Sequence, residues 1–483
     1  MRWRTATELA AAVRTREITA RDLVEDHLAR IERHNPRLNA IVTLDAENAR
    51  RRADDADAAV ARGEPLGPLH GVPVTIKDAF ETAGLRTTSS YKPLAHHVPG
   101  RDATVVARLR AAGAIVLGKT NMSELAMDVQ SISPIFGRAN NPWAPDRTTG
   151  GSTGGGGAAV AAGLSPLELG SDIGGSIRIP AHFCGVVGLK PTEHRVSSAG
   201  HVPDLPGRAR HIRHMGVFGP LARSVGDLEL ALRIVAGPDG RDWDVPPVPL
   251  EAPPARALAA RRFAWTDDFG VPVDADTRRV LADVARRLEA AGCQVTRATP
   301  TGFDFQAAWE TYGELTLESL AEAPFALRLG ATLASPFYSD VPIQHGLARG
   351  AATLGLRRHG RALTRRDDLL SALEPVLAGY DAWLCPVSAT PAYTHRRPGL
   401  GRRGDPIDVD GVQIPYWTAN ISYTSVFNLT GNPVCVVPAG TSRDGLPIGI
   451  QIVGRRWDDM HVLAVARQVE ALLDPIGAPP GFD

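Results

Sequence analysis

Residues 150–180, GGSTGGGGAAVAAGLSPLELGSDIGGSIRIP, contain two serines surrounded by glycines. These are Ser152 in GGST and Ser176 in DIGGSIR. Glycine lets the backbone adopt angles closed to other residues and lets a ligand approach the main chain. A serine hydroxyl exposed in such a turn, with unpaired backbone N–H groups around it, is what acyl transfer requires. The stretch therefore indicates a site where a hydroxyl attacks a carbonyl carbon.

A lysine lies upstream, at the end of a short apolar run. Residues 71–78 read GVPVTIKD, and residues 72–76 are predicted to form a strand that carries Lys77 at its end. A lysine in an apolar environment loses part of its preference for the charged form and can act as a base. Lys77 is therefore a candidate general base for one of the two serines.

These three segments together resemble the amidase signature family, whose pattern is a lysine, a serine on a cis peptide bond and a nucleophilic serine. The match continues through FCGVVGLKPT at 183–192 and resumes at FNLTGNP, 427–433, and DGLPIGIQ, 444–451. It covers the chain from about Thr5 to the last helix. The resemblance implies a single α/β domain, residues 1–483, in which a mixed, twisted β-sheet is sandwiched between helices. It implies no cofactor and no metal.

The resemblance also implies a role for each matching residue. Ser176 would attack the carbonyl, and Ser152 would take its proton and pass it to Lys77. The peptide bond before Ser152 is expected to be cis, and Lys77 must be neutral when Ser176 attacks. The backbone N–H groups expected to form the oxyanion hole are those of Ile173, Gly174, Gly175 and Ser176. Asp172 and Arg178, which flank this turn, are expected to hold it rather than to touch substrate.

Substrate contacts are less well defined by the sequence. Gly150, Gly151 and Met127 are the expected substrate-binding residues, and Met127 lies in the apolar segment 122–137. Apolar and aromatic side chains that could line the pocket, or simply pack the core, are Ile132, Ile135, Phe136, Trp309, Tyr312, Phe337, Tyr338, Tyr416, Trp417 and Tyr423. An aromatic lining would favour a hydrophobic amide, with an aryl or acyl group, as the small-molecule substrate.

Several alternatives remain open at this point. The chain could be the glutaminase-type subunit of a tRNA-dependent amidotransferase, or an esterase or carbamate hydrolase using the same site. A non-catalytic binding protein is a further alternative, against which the intact set of Lys77, Ser152 and Ser176 argues. Residues 150–154 also fit the nucleophile elbow G-x-S-x-G, but the loop-like residues before them do not form the strand that an elbow needs.

Composition limits the other possibilities. The 483 residues contain 53 Lys and Arg and 53 Asp and Glu, so nothing favours nucleic acid as a partner. The four cysteines are scattered without a CxxC pair, which suits a reducing compartment. No signal-peptide core or apolar run of membrane-spanning length is visible, so a cytoplasmic protein without a membrane span is expected. The His96–His97 and His211–His214 pairs are expected to be surface or loop histidines, and Cys184 a core residue beside the site.

The chain is predicted to alternate between helices and strands, as an α/β fold does. An N-terminal helical segment at 1–62 precedes the core at 70–240, and a helical region at 303–375 is expected to cover the active site. Dimerisation through the N-terminal helices is a further expectation. Strands are predicted at 72–76, 114–117, 262–265, 382–386, 434–437 and 448–453. Helices are predicted at two places within 5–34, the second ended by Asn35-Pro36, at 45–62, 102–112, from 158, and at 224–236, 275–292 and 458–473.

Overall fold

The computed structural model describes residues 3–202, 213–316, 341–352, 355–397 and 404–482. In these residues the strands are β1 (Ile41–Leu44), β2 (Pro73–Lys77), β3 (Ile115–Thr120), β4 (Ile132–Ser133), β5 (Gly137–Arg138), β6 (Leu167–Asp172), β7 (Val187–Lys190), β8 (Val217–Ala222), β9 (Arg262–Trp265), β10 (Gln294–Arg297), β11 (Ala382–Pro386), β12 (Ile407–Val409), β13 (Val412–Ile414), β14 (Val434–Thr441) and β15 (Pro447–Val453).

The helices of the described residues follow the same alternation. They are α1 (Ala6–Arg14), α2 (Ala20–Leu38), α3 (Ala46–Arg62), α4 (Thr104–Ala111), α5 (Gly154–Ala161), α6 (Arg178–Cys184), α7 (Val225–Val235), α8 (Ala275–Ala290), α9 (Phe305–Thr316), α10 (Pro342–Ala352), α11 (Leu356–Ala378), α12 (Tyr416–Leu429) and α13 (Asp459–Leu472).

One mixed sheet of 11 strands, in the order β1-β3-β2-β6-β8-β7-β14-β15-β11-β9-β10, forms the centre of a single α/β domain, and helices flank it. This is the architecture that the sequence predicts. Strands β3, β2 and β6 are parallel neighbours, whereas β6, β8, β7, β14 and β15 pair antiparallel. Every residue of β2, β3 and β6 is buried, as expected of parallel strands covered on both faces. Because β2 and β6 run in parallel, Lys77 and Asp172 end at the same edge of the sheet.

The first two helices begin where the sequence predicts. Thr5 caps α1 and forms a capping box with Glu8, and the Thr19 hydroxyl accepts a hydrogen bond from the Asp22 N–H at 2.9 Å. Strand β1 lies between α2 and α3, so the predicted helical segment 1–62 also contributes a strand to the sheet.

The expectation that Asn35-Pro36 ends the second helix was wrong. Helix α2 continues through Pro36 to Leu38, and Asn39 ends it in the left-handed conformation, at φ 50°. Proline in the last turn removes a single backbone hydrogen bond, and burial of Leu38 in the core offsets that loss. The Asn35 carboxamide oxygen accepts from Ala40 N and Ile41 N, which fixes the exit of the chain.

Helix α5 begins at Gly154, earlier than the predicted start near residue 158. Intrinsic propensity disfavours glycine in a helix, but close packing requires it here. A Cβ at Gly155 would lie 2.5 Å from the Asn121 carbonyl oxygen and 2.6 Å from that of Ala40. The glycines thus let the helix after Ser152 approach the neighbouring backbone.

The predicted helical region 303–375 contains α9, α10 and α11 among its described residues. Residues 317–340, with Phe337 and Tyr338, lie outside the described part of the chain. Among the strands of the large sheet, β1, β6, β7, β8 and β10 were not predicted. In the described ranges, no helix combines the length and apolar character that crossing a bilayer requires.

Candidate active site

Lys77 ends β2 in a fully buried position, 0% exposed. Its Nζ lies 2.7 Å from Ser152 Oγ, 3.0 Å from Ser171 Oγ and 3.4 Å from the Ser171 carbonyl oxygen. The structure therefore brings the predicted lysine and the first predicted serine into direct contact. It adds Ser171, on β6, as a second hydroxyl within reach of the amine.

The environment of Lys77 favours the neutral amine. Burial lowers the pKa of Lys77 to about 7, although the negative charges of Asp172 and Glu168 act in the opposite direction. Burial also raises the pKa of Glu168 to about 7, and the Thr120 hydroxyl donates a hydrogen bond to it. An amine that titrates near neutrality can accept a proton during a reaction and return it afterwards.

The peptide bond between Gly151 and Ser152 is cis, as the resemblance implies. Both glycines before Ser152 are in crowded positions. A Cβ at Gly151 would lie 2.8 Å from the main chain of Val129 and Gln130, and one at Gly150 would lie 3.0 Å from Ile179 and Pro180. The segment 122–137 thus packs directly against the serine turn. The residues before Ser152 form no strand of the sheet, so the geometry of a nucleophile elbow is not observed there.

Ser176 lies in the turn between β6 and α6 and is 5% exposed. The Thr153 N–H donates to the Ser176 carbonyl oxygen at 3.2 Å, which holds the main chains of the two glycine-rich turns side by side. Lys77 and Ser152 are therefore in contact at the edge of the sheet where β2 and β6 end, and the main chain of the Ser176 turn lies beside the Ser152 turn there. This is the edge where ligands of open α/β sheets usually bind.

Asp172 and Arg178 hold the Ser176 turn, as predicted. The Asp172 carboxylate accepts from Gly175 N at 2.8 Å and Ile177 N at 3.1 Å, and it pairs with the Arg178 guanidinium at 2.9 Å. Burial alone would raise the pKa of Asp172, but the Arg178 charge, the hydrogen bonds from Arg178 and Asn428 and the Lys190 charge together outweigh it and hold that pKa well below its usual range. Asn428 Nδ2 also donates to this carboxylate, at 2.9 Å.

One of the four predicted oxyanion donors is already engaged. The Gly175 N–H donates to the Asp172 carboxylate. The N–H groups of Ile173, Gly174 and Ser176 therefore remain as the predicted donors to an oxyanion. The Gly174 carbonyl oxygen accepts from the Thr424 hydroxyl at 2.6 Å. The turn is thus fixed from both sides, which is the preorganisation that an oxyanion site needs.

Helix α9 covers part of this turn. A Cβ at Gly174 would lie 2.5 Å from the Tyr312 hydroxyl and 3.8 Å from Ile421. Tyr312 is buried, and Trp309, one turn earlier, donates its indole N–H to the Ser422 carbonyl at 2.9 Å. Tyr312 therefore lies against the site, whereas Trp309 ties α9 to α12.

The other predicted lining residues are more dispersed. Met127 is half-buried at the end of a short 3-10 turn, Glu124–Ala126. Ile132 and Ile135 are half-buried, and Phe136 lies under the Arg86 guanidinium, 4.9 Å from its ring centre. Tyr423 packs in the core with its hydroxyl on the Val271 carbonyl oxygen.

A buried polar cluster beside Gly151 was missed by the sequence analysis. The Asp128 carboxylate accepts from the Tyr416 hydroxyl at 2.8 Å, and Gln130 Nε2 donates to that hydroxyl oxygen at 3.0 Å. Burial raises the pKa of Asp128 to about 7. Asp128 lies in segment 122–137, which was predicted to be apolar, so this segment also contains a buried polar group.

Neither Cys184 nor the cluster of Glu193, His194 and His214 adds a nucleophile or a metal to this site. Cys184 is buried, and burial raises its thiol pKa, consistent with a core residue. Glu193, His194 and His214 could place three ligand atoms within 4.8 Å of one another. The Glu193 carboxylate is already paired with Arg366, and that positive charge opposes a metal cation. We therefore assign no metal to the cluster.

In this α/β fold a buried lysine amine therefore lies within hydrogen-bond distance of a serine hydroxyl in a glycine-rich turn. Residues 22–463 match the family model described as Amidase. The acylamidase of Rhodococcus erythropolis is 34% identical over 98% of this chain and 96% of its own. A glutamyl-tRNA(Gln) amidotransferase subunit from Anaeromyxobacter sp. (strain K) is 36% identical, over 98% and 97% of the two chains.

The solved structure of 6-aminohexanoate cyclic dimer hydrolase in complex with its substrate is also similar. It has a TM-score of 0.81 and 28% identity, and the match covers 100% of both chains. The chain belongs to the amidase family, that of the amidase signature hydrolases.

Proposed function

We propose that this protein hydrolyses the C–N bond of a linear carboxylic amide through an acyl-enzyme on Ser176. Ser152 is the proton relay and Lys77 the base. The observation that carries the proposal is the 2.7 Å contact between Lys77 Nζ and Ser152 Oγ in a fully buried position. The pKa of about 7 gives Lys77 a neutral population at neutral pH.

The reaction runs in two halves. Ser176 Oγ attacks the carbonyl carbon while its proton passes to Ser152 and the Ser152 proton passes to Lys77. The C–N bond then breaks, and the proton returns through Ser152 to the departing amine. Water attacks the ester on Ser176 with the same relay, which releases the carboxylic acid and restores the serine hydroxyl.

The backbone N–H groups of Ile173, Gly174 and Ser176 stabilise the charge that develops on the carbonyl oxygen. Removing one oxyanion donor from such a site typically costs about 3–4 kcal/mol of transition-state stabilisation. The Asp172–Arg178 pair supports this role, because it is fully buried and its carboxylate holds the N–H groups of Gly175 and Ile177 in the turn.

We assign a hydrophobic amide with an aryl or acyl group as the substrate class. Tyr312 against Gly174 supports the assignment because it brings an aromatic side chain to the oxyanion turn. Similarity to the acylamidase of Rhodococcus erythropolis supports it as well. Met127, Gly150 and Gly151 remain the proposed substrate-binding residues, without a metal or cofactor and without nucleic acid as a partner.

A panel of amides tests the proposal. An anilide, a long-chain acyl amide, an aliphatic amide, glutamine, an ester and a carbamate are offered to the wild type and to the Ser176→Ala, Ser152→Ala and Lys77→Ala variants. We expect the anilide or acyl amide to give the highest kcat/KM and Ser176→Ala to abolish it. Highest turnover of glutamine would instead support the amidotransferase role, and highest turnover of the ester or carbamate would support a hydrolase of those bonds.

A further inference from the structure

A buried histidine lies next to the proposed base and is connected to it through one hydroxyl. His201 Nε2 is 3.0 Å from Ser171 Oγ, and Ser171 Oγ is 3.0 Å from Lys77 Nζ. The His201 ring packs between Phe80 and Phe218, with ring centres 4.9 Å and 4.8 Å away. The three groups form a chain of polar contacts, and aromatic side chains flank its histidine end.

The contacts around Lys77 Nζ pose a problem of orientation. A neutral amine has two N–H donors and one lone pair, and three oxygens surround it: Ser152 Oγ, Ser171 Oγ and the Ser171 carbonyl oxygen. The carbonyl can only accept, whereas either hydroxyl can donate to the lone pair. If Ser171 donated, the lone pair would be occupied by the wrong serine, and Ser152 would have no acceptor for its proton.

We propose that His201 prevents this by accepting a hydrogen bond at Nε2 from the Ser171 hydroxyl, which leaves Ser171 Oγ as an acceptor for Lys77 N–H. Both N–H groups of neutral Lys77 then point at Ser171, and its lone pair faces Ser152. This inference rests on the proposed function. His201 is a positioning residue: it touches neither substrate nor the reacting atoms, and it acts through Ser171.

The surroundings keep His201 in the neutral form that this role requires. Burial lowers the pKa of His201 well below its usual value, and the positive charges of Lys77 and Lys119 lower it further. Asp78, the partner charge of Lys119, lies in the same buried region and interacts with Lys119. Neutral His201 has its proton on Nδ1 in the arrangement proposed here, so that Nε2 is the acceptor.

The test is a double-mutant cycle on kcat for the best amide of the panel. His201→Leu removes the acceptor, and we expect kcat to fall about tenfold with KM changed less than about twofold, since general-base catalysis is impaired but binding is not. His201→Gln, whose side-chain oxygen can accept from Ser171, is expected to recover kcat to within about threefold of wild type. His201→Asn is too short to reach Ser171 and should lose kcat as His201→Leu does.

Ser171→Ala supplies the matched background. Because His201 acts through the Ser171 hydroxyl, adding His201→Leu to Ser171→Ala should change kcat by less than about twofold. The inference would be overturned if His201→Leu lowered kcat equally in the wild type and in Ser171→Ala. A wild-type kcat in the single variant His201→Leu would overturn it as well. If His201→Leu does not fold, kcat of His201→Gln and His201→Asn is compared instead. A kcat near wild type in His201→Gln with a loss in His201→Asn supports the inference, and equal kcat values in the two variants overturn it.

Different experimental results would overturn the role of His201 and the proposed function. A Lys77→Ala variant with wild-type kcat would overturn the proposed function itself. Loss of activity in Lys77→Ala together with wild-type kcat in all three His201 variants would remove only the role of His201.

Discussion

Lys77 is the group whose charge should set the pH dependence of the enzyme. Burial lowers its pKa to about 7, and the neutral form is the base of the proposed mechanism. As pH falls through 7, Lys77 gains a proton and activity is lost; as pH rises, activity reaches a plateau. We predict that a profile of kcat/KM against pH shows one rising limb near 7, and that Lys77→Ala lowers kcat about 10²–10⁴-fold.

Asp128 provides the control for that profile, because burial also raises its pKa to about 7. It lies in the polar cluster beside Gly151, where its carboxylate accepts from the Tyr416 hydroxyl rather than from the Lys77 amine. The Asp128→Asn variant should keep the rising limb near 7 even if its kcat/KM falls. Loss of the limb in Asp128→Asn would assign the titration to that carboxyl group and contradict the role of Lys77.

At the scale of single residues, the sequence predicted Lys77, Ser152 and Ser176 because an ordered motif connects them. It did not predict Ser171 or His201. Ser171 was not predicted because β6 was not recognised as a strand parallel to β2. Without that pairing, the sequence does not indicate that the Ser171 hydroxyl lies beside Lys77. His201 follows a loop and reaches the site only through tertiary packing, which no local spacing encodes.

Among the elements, helix α5 depends on glycine for its close approach to β3 and β1. We predict that Gly155→Ala lowers the free energy of unfolding by about 1–3 kcal/mol, since the new Cβ would meet the backbone of Asn121 and Ala40. Gly360→Ala, in the exposed part of α11 with nothing near its Cβ, is the matched control. It should raise stability by up to about 1 kcal/mol. Equal effects in chemical denaturation would contradict the packing argument.

The turn between β6 and α6 depends on a buried ion pair. Arg178→Met leaves the Asp172 carboxylate buried without its cation, and we predict a loss of about 3–5 kcal/mol of stability together with most of the activity. Arg286→Met breaks an exposed pair with Asp283 at the surface of α8 and should cost less than about 1 kcal/mol. Thermal unfolding of both variants measures the difference, and similar losses would show that the pair does not hold the turn.

Element boundaries were predicted best where the hydrophobic pattern is regular. Residues 262–265 and 382–386 are strands as predicted, and α1 begins at its Thr5 cap. The β6 sequence LELGSD was missed because its Glu, Gly, Ser and Asp argue against a strand, yet every residue is buried. Tertiary packing in the middle of the sheet overrode the local preference.

On the scale of the whole molecule, the N-terminal helices are already packed within the chain. Asp227 on α7 accepts from Ala6 N at 2.7 Å at the start of α1, and Leu9 and Val13 are buried in the core. Arg30 on α2 donates to the Ala162 carbonyl oxygen at 2.8 Å, next to the end of α5. The dimer predicted through these helices stays a prediction, and its interface would have to use their exposed faces.

Helix α9, which covers part of the Ser176 turn, is predicted to limit the size of the acyl group that the site accepts. Tyr312→Ala removes the aromatic side chain from the oxyanion turn, and we expect the ratio of kcat/KM for a bulky over a small acyl amide to rise about tenfold. Tyr423→Phe, which removes the hydroxyl bonded to Val271 in the core, should leave the ratio unchanged. No change in the ratio for Tyr312→Ala would show that α9 does not contact the acyl group.

The most direct test of the central claim is the site of acylation. The wild type is quenched during turnover of an activated ester or anilide, and the acylated peptide is identified by mass spectrometry. The account predicts the acyl group on Ser176, and no acyl-enzyme in Ser176→Ala. An acyl group on Ser152, or one that persists in Ser176→Ala, would contradict the assignment of nucleophile and relay.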